Sequence, residues 1–141
     1  MTGVTDTLAY RLGTLGGRVA DRFSQAVAGY GVKPRHVALL VVIDSSRPAS
    51  QLELARQLRI APSLVVQLAD HLVALGAIER SRDARDRRRQ YLLLTDAGRR
   101  LLAACAGAAR RIDEEVAAGL DDGQRDDLRL LLAKVSDTLA P

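Results

Sequence analysis

Cys105 is the one cysteine in the sequence, so neither an intrachain disulfide nor a cysteine-based zinc site can form. Tryptophan is absent, phenylalanine occurs once and tyrosine three times. Buried surface therefore has to come from Leu, Val and Ala, which favours packed helices. No apolar run approaches the roughly 18 residues of a membrane span, and the first residues lack the basic start and apolar stretch of a signal peptide. The expectation is a cytoplasmic protein without membrane association. The two histidines, His36 and His71, have no nucleophile or metal-ligand pattern around them. No catalytic residue, metal or cofactor is expected.

The 141 residues suit one ordinary domain, 48% hydrophobic and 27% charged. The net charge of +4 is unevenly placed. Between Arg80 and Arg89 stand six Arg and two Asp, while the remaining 131 residues balance at 15 basic and 15 acidic. One concentrated basic segment in a balanced chain is the footprint of a polyanion-binding surface. A solvated Arg-rich surface is the plainer reading, since the chain prefers Arg to Lys throughout, 19 against 2.

Apolar residues at Leu8, Leu12, Leu15, Val19, Phe23, Ala26 and Tyr30 form one helical stripe, and Gly31 is the expected C-terminal cap. Pro34 opens a second, nearly all-apolar helix to about Ser45. After a break at Arg47, Pro48 and Ala49, Ser50 and Glu53 form a capping box for a third helix with Leu52, Ala55 and Leu58 on its apolar face. A short turn, Arg59 to Ala61, leads to a fourth helix that starts with Pro62 and is ended by Gly76. Ala77–Arg82 and Tyr91–Thr95 read as strands around a charged hairpin tip, Asp83–Arg89. Thr95 can cap a fifth helix carrying Leu101, Leu102, Cys105, Ala109, Ile112 and Val116, and a sixth runs from near Gly123 to Leu139. The predicted fold is mostly α with a small β-hairpin wing, a winged helix-turn-helix plus further helices.

The fourth helix has its inner face supplied by Val65, Leu68, Ala69, Leu72 and Leu75. Ser63, Leu64, Val66, Gln67, Asp70 and His71 are left on the outer arc. Exposed Leu64 and Val66 suit thymine methyl groups in a major groove, and Gln67 can pair bidentately with adenine. Packing of Leu64 or Val66 under a neighbouring loop is the competing reading. Asp70 is expected to pair with a wing arginine rather than to read bases. In the wing, Arg85, Arg87, Arg88 and Arg89 alternate with Asp83 and Asp86, a pattern suited to bracing by local ion pairs. Arg87 is the expected minor-groove residue and Arg85 the next, with Arg88 serving the hairpin itself. The acidic run Asp113, Glu114 and Glu115 points in diverging directions and reads as solvated surface.

In order of elements and in residues, the sequence resembles the MarR family of bacterial regulators. Ser50 to Leu102 is similar to that family's winged domain almost without gaps. The most specific match is Asp83-Ala84-Arg85-Asp86-Arg87-Arg88, followed by Leu94-Thr95 and Gly98. The resemblance implies an obligate homodimer, with residues 1–33 and 97–141 as a helical dimerisation region and 34–96 as the DNA-binding region of one continuous domain. It further implies binding of double-stranded DNA at pseudo-palindromic half-sites about one helical turn apart, and repression by occluding a promoter. Val66 and Gln67 stand where relatives commonly carry a small hydroxyl residue and an Arg, and Arg89 and Gln90 interrupt the usual passage from wing to apolar strand. Many members release DNA on binding a small anionic aromatic ligand, and Arg11, Tyr30, Arg35 and His36 are the candidates for that role here. Some sense oxidants through a first-helix cysteine, whereas Cys105 sits on an apolar face where a thiol reacts poorly. The competing class is a winged helix used as an architectural or protein-interaction module without sequence-specific readout.

Overall fold

The computed structural model describes residues 3–45 and 48–140. Arg47, part of the expected break before the third helix, lies outside them. Val4–Asp6 form a single 3-10 turn. The Thr7 side chain then accepts the Tyr10 N–H and starts α1, Leu8–Ala28. This helix stops earlier than Gly31. Tyr30 and Gly31 N–H groups bond back to Val27 and Ala28, a tightened last turn, and Gly31 at φ 76° reverses the chain. α2 spans Pro34–Ser45, β1 Ala49–Ser50, α3 Gln51–Leu58 and α4 Pro62–Ala74. β2, Ile78–Arg82, and β3, Gln90–Leu94, are followed by α5, Asp96–Val116, and α6, Asp122–Leu139.

The strands form one antiparallel sheet in the order β1-β3-β2, with Ala49 opposite Leu92 and Ile78 opposite Leu94. The pairing of β1 was not anticipated, because two residues carry no readable period. Leu39, Leu40, Leu54, Leu72, Ile78 and Leu92 fill a core shared by α2, α3, α4 and the sheet, and Val27 and Cys105 join it from α1 and α5. Four expected apolar-face positions differ. On α3 the buried residue is Leu54 while Leu52 is half exposed, on α5 it is Ala108 rather than Ala109 and Val116 is 48% exposed, and Leu75 at the end of α4 is 44% exposed. Leu52 stands in the first turn of α3, where its side chain borders an open groove.

α5 meets the sheet at its first turn. Thr95 caps the helix by accepting the Gly98 N–H, and its own hydroxyl donates to the Gly76 carbonyl. The Thr95 N–H donates to the Ala77 carbonyl at 3.1 Å. A Cβ on Gly98 would lie 1.9 Å from that same oxygen. No side chain fits there without moving the helix.

α1 and α6 are different in kind. α1 fully buries only Val27 and α6 buries nothing, although Leu128, Leu131, Leu132, Val135 and Leu139 line α6 and Leu8, Leu12, Leu15 and Val19 line α1. Each stripe is too apolar to be at rest in water.

Gly98→Ala should cost about 3 kcal/mol or more in denaturant unfolding, or prevent folding, since the clash is with backbone. A midpoint within experimental error of the parent would show that α5 does not approach Ala77 as closely as described.

Candidate nucleic-acid interface

The helix-turn-helix is set by local chemistry. The Ser50 Oγ accepts the Glu53 N–H at 3.2 Å and Glu53 Oε2 accepts the Ser50 N–H at 2.8 Å, the reciprocal cap expected from the sequence. α3 ends at Arg59, which takes the left-handed conformation at φ 54°, and Pro62 opens α4 at its first position. Between the starts of both helices and the base of the wing lies a groove of about 580 Å³, lined among others by Gln51, Arg56, Ser63, Val66, Arg88 and Arg89.

Of the outer arc of α4, Ser63, Val66 and Gln67 face water, Val66 at 40% exposure. Leu64 is half buried and packs against the core, the competing reading of this residue. His71 is also turned away from the base-reading set: its Nε2 bonds the Gly31 carbonyl at 2.7 Å, and its ring lies 4.5 Å from that of His36. Asp70 pairs with an arginine as expected, but with Arg80 on β2 rather than one at the wing tip.

The wing is braced by backbone, not by ion pairs. Asp83 Oδ1 accepts the Arg85 N–H at 2.9 Å, Asp83 Oδ2 accepts the Tyr91 hydroxyl at 2.9 Å, and Asp86 Oδ1 accepts the Arg88 N–H at 3.0 Å. These are side-chain turns of the kind Asp favours in tight loops. The Arg85 N–H, then the Tyr91 hydroxyl, with a further contribution from the charge of Arg89, hold the Asp83 carboxyl below its ordinary range. The bond to Asp83 pushes the Tyr91 hydroxyl up. Arg85, Arg87, Arg88 and Arg89 are all exposed, and none makes a side-chain ion pair among the described residues. Both Arg88 and Arg89 serve the hairpin through their main chains: the Arg88 N–H donates to Asp86 Oδ1, the Arg89 N–H donates to the Asp86 carbonyl at 3.0 Å, and the Arg89 carbonyl accepts the Asp83 N–H at 3.0 Å. Sequence reasoning passed over Tyr91, Gln51 and Arg56. Tyr91 was read only as a strand residue, and Gln51 could have been found from its place directly after the capping serine.

A model of the MarR family matches residues 30–89, from the α1–α2 turn through the wing. The chain is 31% identical to a Pseudomonas aeruginosa protein described as a probable transcriptional regulator, whose solved structure it matches at a TM-score of 0.76 over 94% of this chain and 99% of that one. The chain belongs to the MarR family. At 30% identity and a TM-score of 0.79 it also matches the transcriptional repressor CouR bound to a 23-mer DNA duplex, over 94% of each chain. A Thauera aromatica protein named for transcriptional regulation of the hcr operon is 33% identical over 105 residues, 74% of this chain. The match spans 63% of that relative's length.

The MarR fold places the remaining sequence candidates apart. Arg11 pairs with Asp6 near the start of α1, ~25 Å along the helix from its end at ~1.5 Å per residue. Tyr30 is 38% exposed, Arg35 faces water and His36 is buried at 7%. The four do not gather into one pocket within a subunit. The Asp113 and Glu115 carboxylates are engaged, with Arg129 and Arg22 respectively. Among the described residues no three His, Cys, Asp or Glu side chains could hold a metal, and no helix is long and apolar enough to cross a membrane.

Cys105 is 1% exposed and burial pushes its thiol up from the ordinary value. A disulfide reagent at pH 7.5 should leave the native protein unlabelled over minutes and modify the unfolded chain fully. Stoichiometric labelling of the folded protein within seconds would contradict this packing.

Proposed function

We propose that this chain is a sequence-specific regulator of transcription, acting in the cytoplasm as a homodimer on a pseudo-palindromic operator and repressing the promoter it covers. The observation that carries the reading is the braced wing. Its aspartates are satisfied by backbone and Tyr91, which leaves Arg85, Arg87 and Arg88 exposed, with Arg88 lining the same groove as Ser63 and Val66 of α4. Ser63, Val66 and Gln67 are then the residues for base edges, with Val66 suited to a thymine methyl and Gln67 to adenine. Arg87, with Arg85 next, is the choice for the minor groove, where negative potential is greatest, and Arg88 on the groove wall for phosphate.

Several features support this reading. The repressor CouR, 30% identical over nearly the whole chain, binds a DNA duplex. The unburied apolar stripes of α1 and α6 require a partner, and a second copy offers the same stripes in two-fold register. Two α4 helices held by such a dimer address half-sites about one helical turn apart.

Duplexes selected by the protein from a random library at near-physiological salt should converge on an inverted repeat with half-sites roughly 10 bp apart. Weak, salt-sensitive binding to every duplex would instead identify an architectural protein, and no binding to any would identify a protein-interaction module. Arg87→Ala should weaken binding to the selected duplex more than about 10-fold, in line with ~1–3 kcal/mol per specific contact, with the dimer intact by sedimentation. Unchanged affinity would remove Arg87 from the interface.

A further inference from the structure

Where α1 turns into α2, two imidazoles meet. His36, the third residue of α2, takes the part that Glu or Gln plays in a capping box: its Nδ1 accepts the Lys33 N–H at 2.9 Å. That nitrogen must therefore be unprotonated. The ring of His36 is buried and lies 4.5 Å from the ring of His71, tilted by 31°. His71 belongs to the last turns of α4, the helix assigned above to base reading. A carbonyl can only accept, so His71 donates through Nε2–H to Gly31 at 2.7 Å. Gly31 itself sits at φ 76°, in the turn where the chain leaves α1. The recognition helix is thus tied, through one side chain, to the joint between the dimerisation helix and the winged region.

We infer that His36 and His71 form an acid-sensitive latch that positions the recognition helix, so that mild acidification lowers the affinity of the protein for its operator. Both are positioning residues and neither touches DNA. A proton can enter His36 at Nδ1 only by displacing the Lys33 N–H, which leaves two donors facing each other and opens the cap of α2. The same proton sets a cation against the His71 ring. The charged groups acting on His36 are His71 from α4 and Lys33 from the turn. Asp70, next to His71, is turned to Arg80 on β2, and no carboxylate pairs with either imidazole among the described residues.

The sign follows from the direction of the shift. Burial first, then His71 and Lys33, hold His36 below its ordinary value of 6.5 in the latched state. The latch is therefore fully present above pH 6.5 and is lost progressively as pH falls below it. Between pH 7.5 and 5.5 a single group of this kind can change an equilibrium by at most about tenfold. General electrostatics predicts the opposite trend, since a more cationic protein holds DNA more tightly at low pH.

This inference rests on the DNA-binding function proposed above, and two measurements separate the two. Affinity for the library-selected duplex is measured at pH 7.5 and 5.5 at constant ionic strength, and each protein is read as the ratio of its own two values. The parent should lose threefold to tenfold on acidification. The His36→Gln/His71→Gln variant keeps an acceptor for Lys33 and a donor for Gly31 without titrating, and should show a ratio near one or a gain. A parent ratio at or above one, or an equal loss in the variant, would overturn the latch. Failure to bind any duplex at pH 7.5 would instead sink the DNA-binding reading. In the DNA-free protein, followed by NMR, the Gly31 and Val32 amide signals should shift with the same midpoint as the His36 ring, below 6.5. Amide signals that ignore the imidazole titration would overturn the latch whatever the duplex does.

Discussion

The Ala77 carbonyl is the point on which the rest of the structure depends. It accepts the Thr95 N–H, it lies under Gly98 closely enough to forbid any side chain there, and the neighbouring Gly76 carbonyl accepts the Thr95 hydroxyl. Three things converge at this knot: the end of α4, the root of β2 and the start of α5. A helix needs its first N–H groups satisfied, and Thr95 does this while bonding the turn beneath it. The winged region therefore cannot tilt freely against α5, and α5 leads on toward α6, whose apolar stripe is exposed. In the proposed dimer, orientation of the wing and association of subunits would be linked through this backbone contact rather than through a flexible joint.

A second constraint concerns charge. Six arginines within ten residues would repel one another and cost stability unless screened or paired. Pairing Asp83 and Asp86 with wing guanidinium groups would have tied up two of them. Asp83 and Asp86 instead accept backbone N–H groups of Arg85 and Arg88, which fixes the loop while leaving those guanidinium groups uncommitted. Exposed ion pairs add little to stability in any case, because solvent screens them and side-chain entropy opposes them. A loop that holds its shape through main-chain bonds keeps its positive potential for a polyanion. Arg80 is the exception and has a different task. Half buried in the middle of β2, it pairs with Asp70 and so joins recognition helix to wing.

Much of this was legible in the residues. The helix order, the Ser50–Glu53 box, the Thr95 cap and the wing limits follow from rules that act over three or four residues, and those rules held. Three kinds of feature were hidden. The two-residue β1 is made by its partner β3 and has no pattern of its own. Rotation of a helix by a fraction of a turn decides whether Ala108 or Ala109 is buried, and a stripe containing many alanines does not define its centre that finely. Side-chain partners across long separations were beyond reach. His71 was placed among the base readers because its position on the arc is correct, and only the approach of Gly31, 40 residues earlier, turns it aside. Leu64 met the same fate by packing on the core.

The two attachments of the winged region to the rest of the chain differ in chemistry, and that difference has a consequence. At Gly98 the contact is backbone against backbone, with no group that titrates between pH 5 and 8. At Gly31 the contact runs through the His71 imidazole, whose ring lies 4.5 Å from that of buried His36, the group whose protonation the proposed latch depends on. If both were rigid, the pair of recognition helices in a dimer would have one spacing, and if both were loose it would have none. If the inferred latch opens, one permanent joint and one conditional joint would give a hinge: α5 would keep the wing root in place while the far end of α4 is held or released at Gly31. In the proposed dimer, rotation about such a hinge would move the two helices relative to half-sites whose separation is set by the DNA helical repeat. Release would act on affinity without unfolding either the core or the dimer, since Leu72 and Val65 anchor α4 whether or not His71 reaches Gly31.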